Sequence, residues 1–200
     1  MRKITKEPEP KFWTDFKKKN PQKAYNDLDK SDEGRKLRSK IRDFMIKNQK
    51  GLCCYCCKSI DTDNSLNEHI KPKSFYPNLS MDYKNILASC KTKSTCGNTK
   101  DNKYNENLFV SPLDNDCEEH FKYLFDGRIK GKSDKGEYTI ELLNLNSYDL
   151  KQARRTLFKM LRNYDPQYIR TEYLAEKNGK LPRFADMIKY FYDLGVFIEK

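Results

Sequence analysis

The sequence predicts an α+β protein: a small module of loops, short strands and one helix, held by cysteines and embedded in a mostly α-helical body. Three observations predict it. Six of the seven cysteines lie between Cys53 and Cys96. The stretch around them, residues 51–110, is rich in Asn, Lys, Ser and Thr and shows no long helical period. On both sides of it, apolar residues recur at the spacing of amphipathic helices.

In chain order, residues 1–30, with Pro8, Pro10 and Lys17-Lys18-Lys19, read as an extended arm with one short helix near residues 12–18. A long helix starts at Ser31, whose hydroxyl suits an N-cap, with Asp32 and Glu33 set against the positive end of the dipole. Leu37, Ile41 and Phe44 form its buried stripe, Arg35, Arg38 and Arg42 fall on another face, and Gly51 is a natural stop. Residues 121–125 and Arg128-Ile129, joined through Asp126-Gly127, predict a hairpin with a primed turn. Ser147 caps a helix with the stripe Leu150, Ala153, Leu157, Leu161 and Tyr164. Asp165-Pro166 opens another that ends near Asn178-Gly179, and Pro182 begins a last one through Phe184, Ile188 and Phe191. The organisation expected is a basic N-terminal arm and helix (1–50), the cysteine module (51–110), and a hairpin with a C-terminal helical region (111–200).

The chain of 200 residues carries 40 Lys+Arg against 29 Asp+Glu, a formal net charge of +11. Only 36% is hydrophobic, yet 13 Tyr and 11 Phe supply a core and argue against wholesale disorder. No apolar run approaches the ~20 residues of a membrane span. The opening Met1-Arg2-Lys3-Ile4-Thr5-Lys6 has no apolar stretch of a secretory signal, so a cytoplasmic protein with no membrane partner is expected. The charge is concentrated: residues 1–50 hold a net +8, residues 51–110 a net +2 and residues 111–200 a net +1. Such an excess suits a polyanion, and equally a lysine-rich solvated surface.

Clustered cysteines in a reducing compartment point to a metal rather than to disulfides. Gly51-Leu52-Cys53-Cys54-Tyr55-Cys56-Cys57 contains two overlapping C-x2-C frames, Cys53/Cys56 and Cys54/Cys57. Cys90 and Cys96, with five residues between them, supply a second half-site for one structural Zn2+. Cys117 and His120 form a lone C-x2-H, which reads as local structure.

Between the cysteine pairs lies Asn67-Glu68-His69-Ile70-Lys71-Pro72-Lys73-Ser74, followed by Asn85 and, after Cys96, by Gly97-Asn98-Thr99-Lys100. A histidine beside a carboxylate, framed by metal half-sites, is suited to proton transfer near neutral pH. These residues resemble the motif of the HNH (ββα-metal) endonucleases, in which two cysteine pairs frame a β-hairpin and a helix. The wider pattern resembles the PtuB-like HNH subunits of Septu-type anti-phage systems, including those that accompany retrons. It includes Gln49-x-Gly51-Leu52-Cys53-x-Tyr55-Cys56, Asp82-Tyr83-x-Asn85-Ile86-Leu87, Ser111-Pro112-Leu113 and Leu143-Asn144-Leu145-Asn146.

The resemblance implies a zinc-supported ββα-metal (HNH) module and a phosphodiester hydrolase, with DNA the favoured substrate. It favours Cys53, Cys56, Cys90 and Cys96 as zinc ligands, from the family's Cys-x-Tyr-Cys. It implies His69 as general base and Asn85 as the residue that orients the histidine loop. Glu68 and Asn98 would be oxygen ligands of a catalytic Mg2+ or Mn2+. Lys71, Lys73 and Lys100 are candidate phosphate contacts, and Arg35, Arg38 and Arg42 on the long helix a candidate grip on the backbone. Two departures stand out: Asn98 where many members have His, and the wide Cys90–Cys96 spacer. The implied partners are an ABC/SMC-like (PtuA-like) ATPase and, in retron assemblies, a reverse transcriptase with its RNA–DNA product. The phosphate-binding pattern Gly-x4-Gly-Lys-[Ser/Thr] does not occur in these residues, so nucleotide-driven control belongs to another chain. The alternatives are an RNA-cleaving effector and a non-catalytic zinc module that binds nucleic acid or a partner.

Overall fold

A computed structural model of the chain describes residues 1–100 and 103–197. Helix α1 (Lys11–Lys19) follows Pro10, and α2 (Asp32–Asn48) starts where expected, with Ser31 Oγ accepting from Gly34 N at 3.1 Å. Strands β1 (Ser65–His69) and β2 (Ile86–Cys90) pair antiparallel, with Glu68 opposite Leu87 and His69 opposite Ile86. The short helix α3 (Gly97–Lys100) follows them. Then come β3 (Phe121–Tyr123), β4 (Ile129–Gly131), α4 (Asp134–Leu142), α5 (Tyr148–Leu161), α6 (Pro166–Ile169) and α7 (Ala185–Asp193). The architecture is α+β, helices carrying two small two-stranded sheets.

Three local expectations are revised. The hairpin between β3 and β4 is present, but its turn is not primed. Gly127 N donates to Leu124 O and Leu124 N to Arg128 O, and only Gly127 (φ 87°) is left-handed. That is a three-residue loop closed by a left-handed glycine, which asks nothing unusual of Asp126. Asp165 caps α6 through Gln167 N at 2.7 Å, but the helix reaches only Ile169 before a single π turn, Arg170–Leu174. Asn178 and Gly179 instead form a tight turn bridging Lys177 and Lys180. The last helix starts at Ala185, because Phe184 is held at φ 58°, outside the helical region.

One continuous apolar cluster joins Ile4 and Trp13 to Ile41 and Met45 of α2, Ile86 and Leu87 of β2, Leu157 of α5, and Ile188 of α7. Polar ties fix the elements around the first sheet. Gln49, fully buried at the end of α2, donates to Leu52 O and Ala88 O and accepts from Ala88 N at 2.7 Å. All of its buried polar atoms are thereby satisfied. Gly34 lets the 3-10 turn Tyr25–Lys30 lie directly on α2; a Cβ there would collide with the Leu28 carbonyl. The basic arm is partly structural. Ile4 N donates to Pro112 O, and the Lys6 ammonium reaches Tyr83 O and Ile86 O beneath the Tyr83 ring. Burial brings Lys6 down to about 7. Among the described residues no helix is long and apolar enough to cross a membrane.

Candidate active site and cysteine cluster

Of the two cysteine frames left open by spacing, the fold brings Cys53 and Cys56 together with Cys90 and Cys96. Cys53 and Cys56 lie on a knuckle after α2, Cys90 ends β2 and Cys96 immediately precedes α3. Their four sulfurs lie within 4.8 Å of one another, and all four residues are buried. Cys53 Sγ is 3.8 Å from Cys96 Sγ, and Cys56 Sγ is 3.9 Å from Cys90 Sγ. A tetrahedral zinc with bonds of about 2.3 Å has sulfur–sulfur edges of about 3.8 Å, so the donor set fits. A disulfide needs about 2.05 Å, and none is present among these residues. The Cys53 thiol is held well below its ordinary range: burial opposes ionisation, but hydrogen bonds from the neighbouring thiols outweigh it. Cys54 and Cys57 stand outside the cluster. Cys57 has a positive φ of 56°, closing the knuckle, and donates its amide to Cys53 O. Cys117 and His120 do not join a metal cluster among the described residues. His120 bonds Ser133 Oγ and Asp116, and burial drives the Cys117 thiol up to about 12.

A cleft of about 320 Å³ opens beside this cluster. Asn67, Glu68 and His69 of β1 form its floor. Tyr25 and Arg38 come from the side of α2, Lys73 from the loop after β1, and Gly97 and Lys100 from α3.

His69 ends β1 and is buried, its ring edge-on to Tyr25 with centroids 4.6 Å apart. Its Nε2 is 2.9 Å from Ser80 O. A carbonyl oxygen only accepts, so Nε2 carries the proton and Nδ1 keeps its lone pair. Burial lowers the His69 pKa to about 4, with Lys73, Lys100 and Arg38 adding repulsion against the opposing Ser80 bond. The ring is therefore neutral at pH 7.

Asn85 supports that arrangement without entering the cleft. Its Nδ2 donates to Lys71 O (3.0 Å) and Leu79 O (3.2 Å), and its Oδ1 accepts from Lys71 N (2.8 Å). The loop it clamps carries Ser80, whose carbonyl orients His69. Asn85→Ala is expected to destabilise the protein by about 1–3 kcal/mol, since it strands buried main-chain groups. Urea unfolding measures this, and an unchanged midpoint would contradict the clamp.

Glu68 precedes His69 on β1 and lines the same cleft. Its Oε1 accepts from Tyr55 Oη at 2.9 Å and pairs with the Lys100 ammonium at 2.7 Å. Its Oε2 accepts no hydrogen bond from a described residue and lies against Gly97, where a Cβ would collide with it. A cleft-lining carboxylate oxygen in a cradle that a side chain would fill suits a hard cation, which takes one or two carboxylates and completes its shell with water and phosphate.

Other candidates are distributed differently from expectation. Asn98 is exposed, and its Nδ2 donates to Thr92 O at 3.1 Å. Successive helical residues are about 100° apart, so Gly97 and Lys100 share the face toward Glu68 and Asn98 turns away. Lys100 is not a surface phosphate contact but an interior cation, 2% exposed. Lys71 pairs with Glu106 outside the cleft. Of the three arginines only Arg38 reaches the cleft, over the Tyr25 ring at 5.0 Å and paired with Asp29; Arg35 is tied to Asp32. Arg42 does not line it. Reading the motif missed Tyr25, which lies far from it in sequence and is brought to His69 by the approach at Gly34. It also passed over Asn67, whose Nδ2 donates to Arg38 O while its buried Oδ1 has no partner among the described residues.

No protein-family model matches the chain. A Vibrio cholerae (serotype O1 biovar El Tor) protein named as the HNH endonuclease of retron Vc95 is 33% identical over 135 residues, 60% of this chain and 64% of that one. The chain is similar to retron HNH endonucleases. Septu protein PtuB of Bacillus thuringiensis is 32% identical over 111 residues, 54% of this chain and 42% of its own length. The Escherichia coli protein named as the HNH endonuclease of retron Ec83 is 25% identical over 171 residues, 82% of this chain and 62% of its own. The chain thus spans less than two thirds of each of these relatives. The resemblance read from the motifs agrees with them.

Proposed function

We propose that the chain is a metal-dependent HNH endonuclease, built on a ββα-metal module, that hydrolyses phosphodiester bonds of nucleic acid, DNA foremost. In this reading it is the effector of a cytoplasmic anti-phage complex that contains an ATPase and, in a retron setting, a reverse transcriptase with its RNA–DNA product. The observation that carries it is the juxtaposition on β1 of a neutral His69, its tautomer held by Ser80 O, with a Glu68 carboxylate facing the same cleft. Names of the retron and Septu relatives support it.

In this reading His69 Nδ1 takes a proton from the attacking water, and Nε2–H stays on Ser80 O throughout. Asn85 keeps the loop, and hence the ring, in register. Glu68 would hold Mg2+ or Mn2+ at Oε2, and the ion would supply charge neutralisation for the phosphate and its leaving oxygen. Arg38 and Lys73 hold the flanking backbone. Cys53, Cys56, Cys90 and Cys96 would hold a structural zinc, which would tie α3 to the knuckle and to the end of β2.

The test is cleavage of labelled duplex DNA, single-stranded DNA and structured RNA by purified zinc-loaded protein, with and without its ATPase, in Mg2+ or Mn2+. Metal-dependent cutting of DNA to 5′-phosphate ends is expected. Cutting of RNA alone assigns an RNA effector, and binding without cutting of any substrate under every condition leaves a non-catalytic module.

The division among the basic residues is testable separately. Arg38→Ala and Lys73→Ala are each expected to flatten the salt dependence of nucleic-acid affinity by about 0.9 in log–log slope, one phosphate contact apiece. Arg35→Ala is expected to leave it unchanged. Anisotropy titrations across salt concentrations measure this, and equal slopes for all three variants would remove Arg38 and Lys73 from the backbone grip.

A further inference from the structure

The carboxylate assigned to the divalent cation already has a cation of its own. Lys100 and Glu68 are paired at 2.7 Å with side chains only 3% and 7% exposed. An ammonium has three N–H donors. Here they meet three acceptors: Glu68 Oε1, Ile70 O at 2.6 Å, and His69 O. No donor is left for a phosphate. The rings of Tyr55, Tyr104 and Phe109 surround the ammonium at 5.6–6.0 Å, so it cannot swing out to water without stranding a buried carboxylate. Lys100 sits four residues after Cys96, on the helix that the cysteine cluster anchors, so its place is set by that cluster as well.

The charge balance follows. The Glu68 carboxylate is neutralised internally, and among the described residues the other charges on the cleft wall are Arg38, paired with Asp29, and Lys73, which rests on the uncharged Asn26. Without nucleic acid the described cleft wall is thus not negative, and a dication at Oε2 would meet an ammonium on the other oxygen of the same carboxylate. A phosphodiester brings the missing negative charge and further oxygen ligands.

We propose that Lys100 is a positioning residue that makes divalent-cation binding at Glu68 conditional on nucleic acid. This rests on the nuclease reading above, and deepens it from a site that needs a metal to one that takes metal and substrate together. Linkage is reciprocal, so the cation equally strengthens nucleic-acid binding.

The experiment counts bound Mn2+ by electron paramagnetic resonance of the free ion, in zinc-loaded full chain. A His69→Ala background prevents cutting, and a Glu68→Gln partner subtracts binding elsewhere. Three arms are compared: Mn2+ alone, Mn2+ with a short DNA duplex, and Mn2+ alone with Lys100→Gln, whose neutral amide retains donors for the carbonyls. Glu68-dependent affinity is expected to rise at least about tenfold with duplex, and by a similar factor in Lys100→Gln without duplex. A purely structural lysine would not tighten Mn2+ binding when replaced. Should Lys100→Gln fail to fold, the duplex arm decides on unaltered Lys100. Glu68-dependent binding that is equally tight with and without duplex overturns the proposal and leaves the nuclease reading standing. Absence of Glu68-dependent binding in every arm removes the cation from Glu68, and with it both the proposal and the metal assignment.

Discussion

His69→Ala is expected to lower the cleavage rate by about 10²–10⁴-fold, the usual contribution of a positioned general base. The reason is geometric. Among the ring atoms only Nδ1 can accept a proton, because Nε2–H is committed to Ser80 O. Glu68 cannot substitute: its Oε1 already accepts from Tyr55 Oη and pairs with the Lys100 ammonium. The stability cost should be small by comparison. The ring meets Tyr25 edge-on and makes one main-chain hydrogen bond, whereas the neighbouring register is held by main-chain pairing of His69 with Ile86 and by Asn85. Initial rates, zinc content and circular dichroism on the same preparation separate the two effects. A variant that cuts as fast as the parent removes His69 from the chemistry.

The second large effect is on folding. Cys56→Ser and Cys96→Ser are each expected to abolish zinc retention and to unfold β1, β2 and α3 together. Structural zinc contributes on the order of 10–16 kcal/mol in small sites, as much as the ~5–15 kcal/mol by which a whole domain is stable. The two-stranded sheet has little else of its own, since an isolated pair of strands is marginal in water. Its support comes from α2, through Gln49 and the apolar contacts at Ile86 and Leu87, and from the cysteine cluster. Cys54→Ala and Cys57→Ala are expected to keep one zinc per chain. Metal analysis with thermal melts measures both. Zinc lost from Cys54→Ala and retained in Cys56→Ser would reverse the assignment of ligands.

Much of this molecule was legible before its structure, and the legible parts share a cause. The Ser31, Ser147 and Asp165 caps act over two or three residues, so they are visible in the chain and recur in the structure. The hairpin around Gly127 was readable for the same reason, although its turn type was not, because that depends on loop length between paired strands rather than on the Asp-Gly pair alone. The glutamate–histidine pair and the four cysteines were likewise visible as spacings. The extent of α6 was not, since the tight turn at Asn178 and Gly179 marks the end of a different local structure.

Sequence alone established which chemistries are present: thiols in pairs, a histidine beside a carboxylate, and basic residues on α2. It did not settle which of several equivalent residues does the work. Cys53/Cys56 and Cys54/Cys57 have the same spacing, and it is the fold that places Cys53 and Cys56 beside Cys90 and Cys96. Arg35, Arg38 and Arg42 share a helix face, but the 3-10 turn packed at Gly34 makes Arg38 the one that meets the cleft. Gly97, Asn98 and Lys100 follow one another, and the rotation of α3 turns the amide outward and buries the ammonium against Glu68. A spacing is a local property of the chain. Which side chain faces a given atom is set by contacts between segments far apart in it, and those form only when the whole core closes around α2, the first sheet and the cysteine cluster.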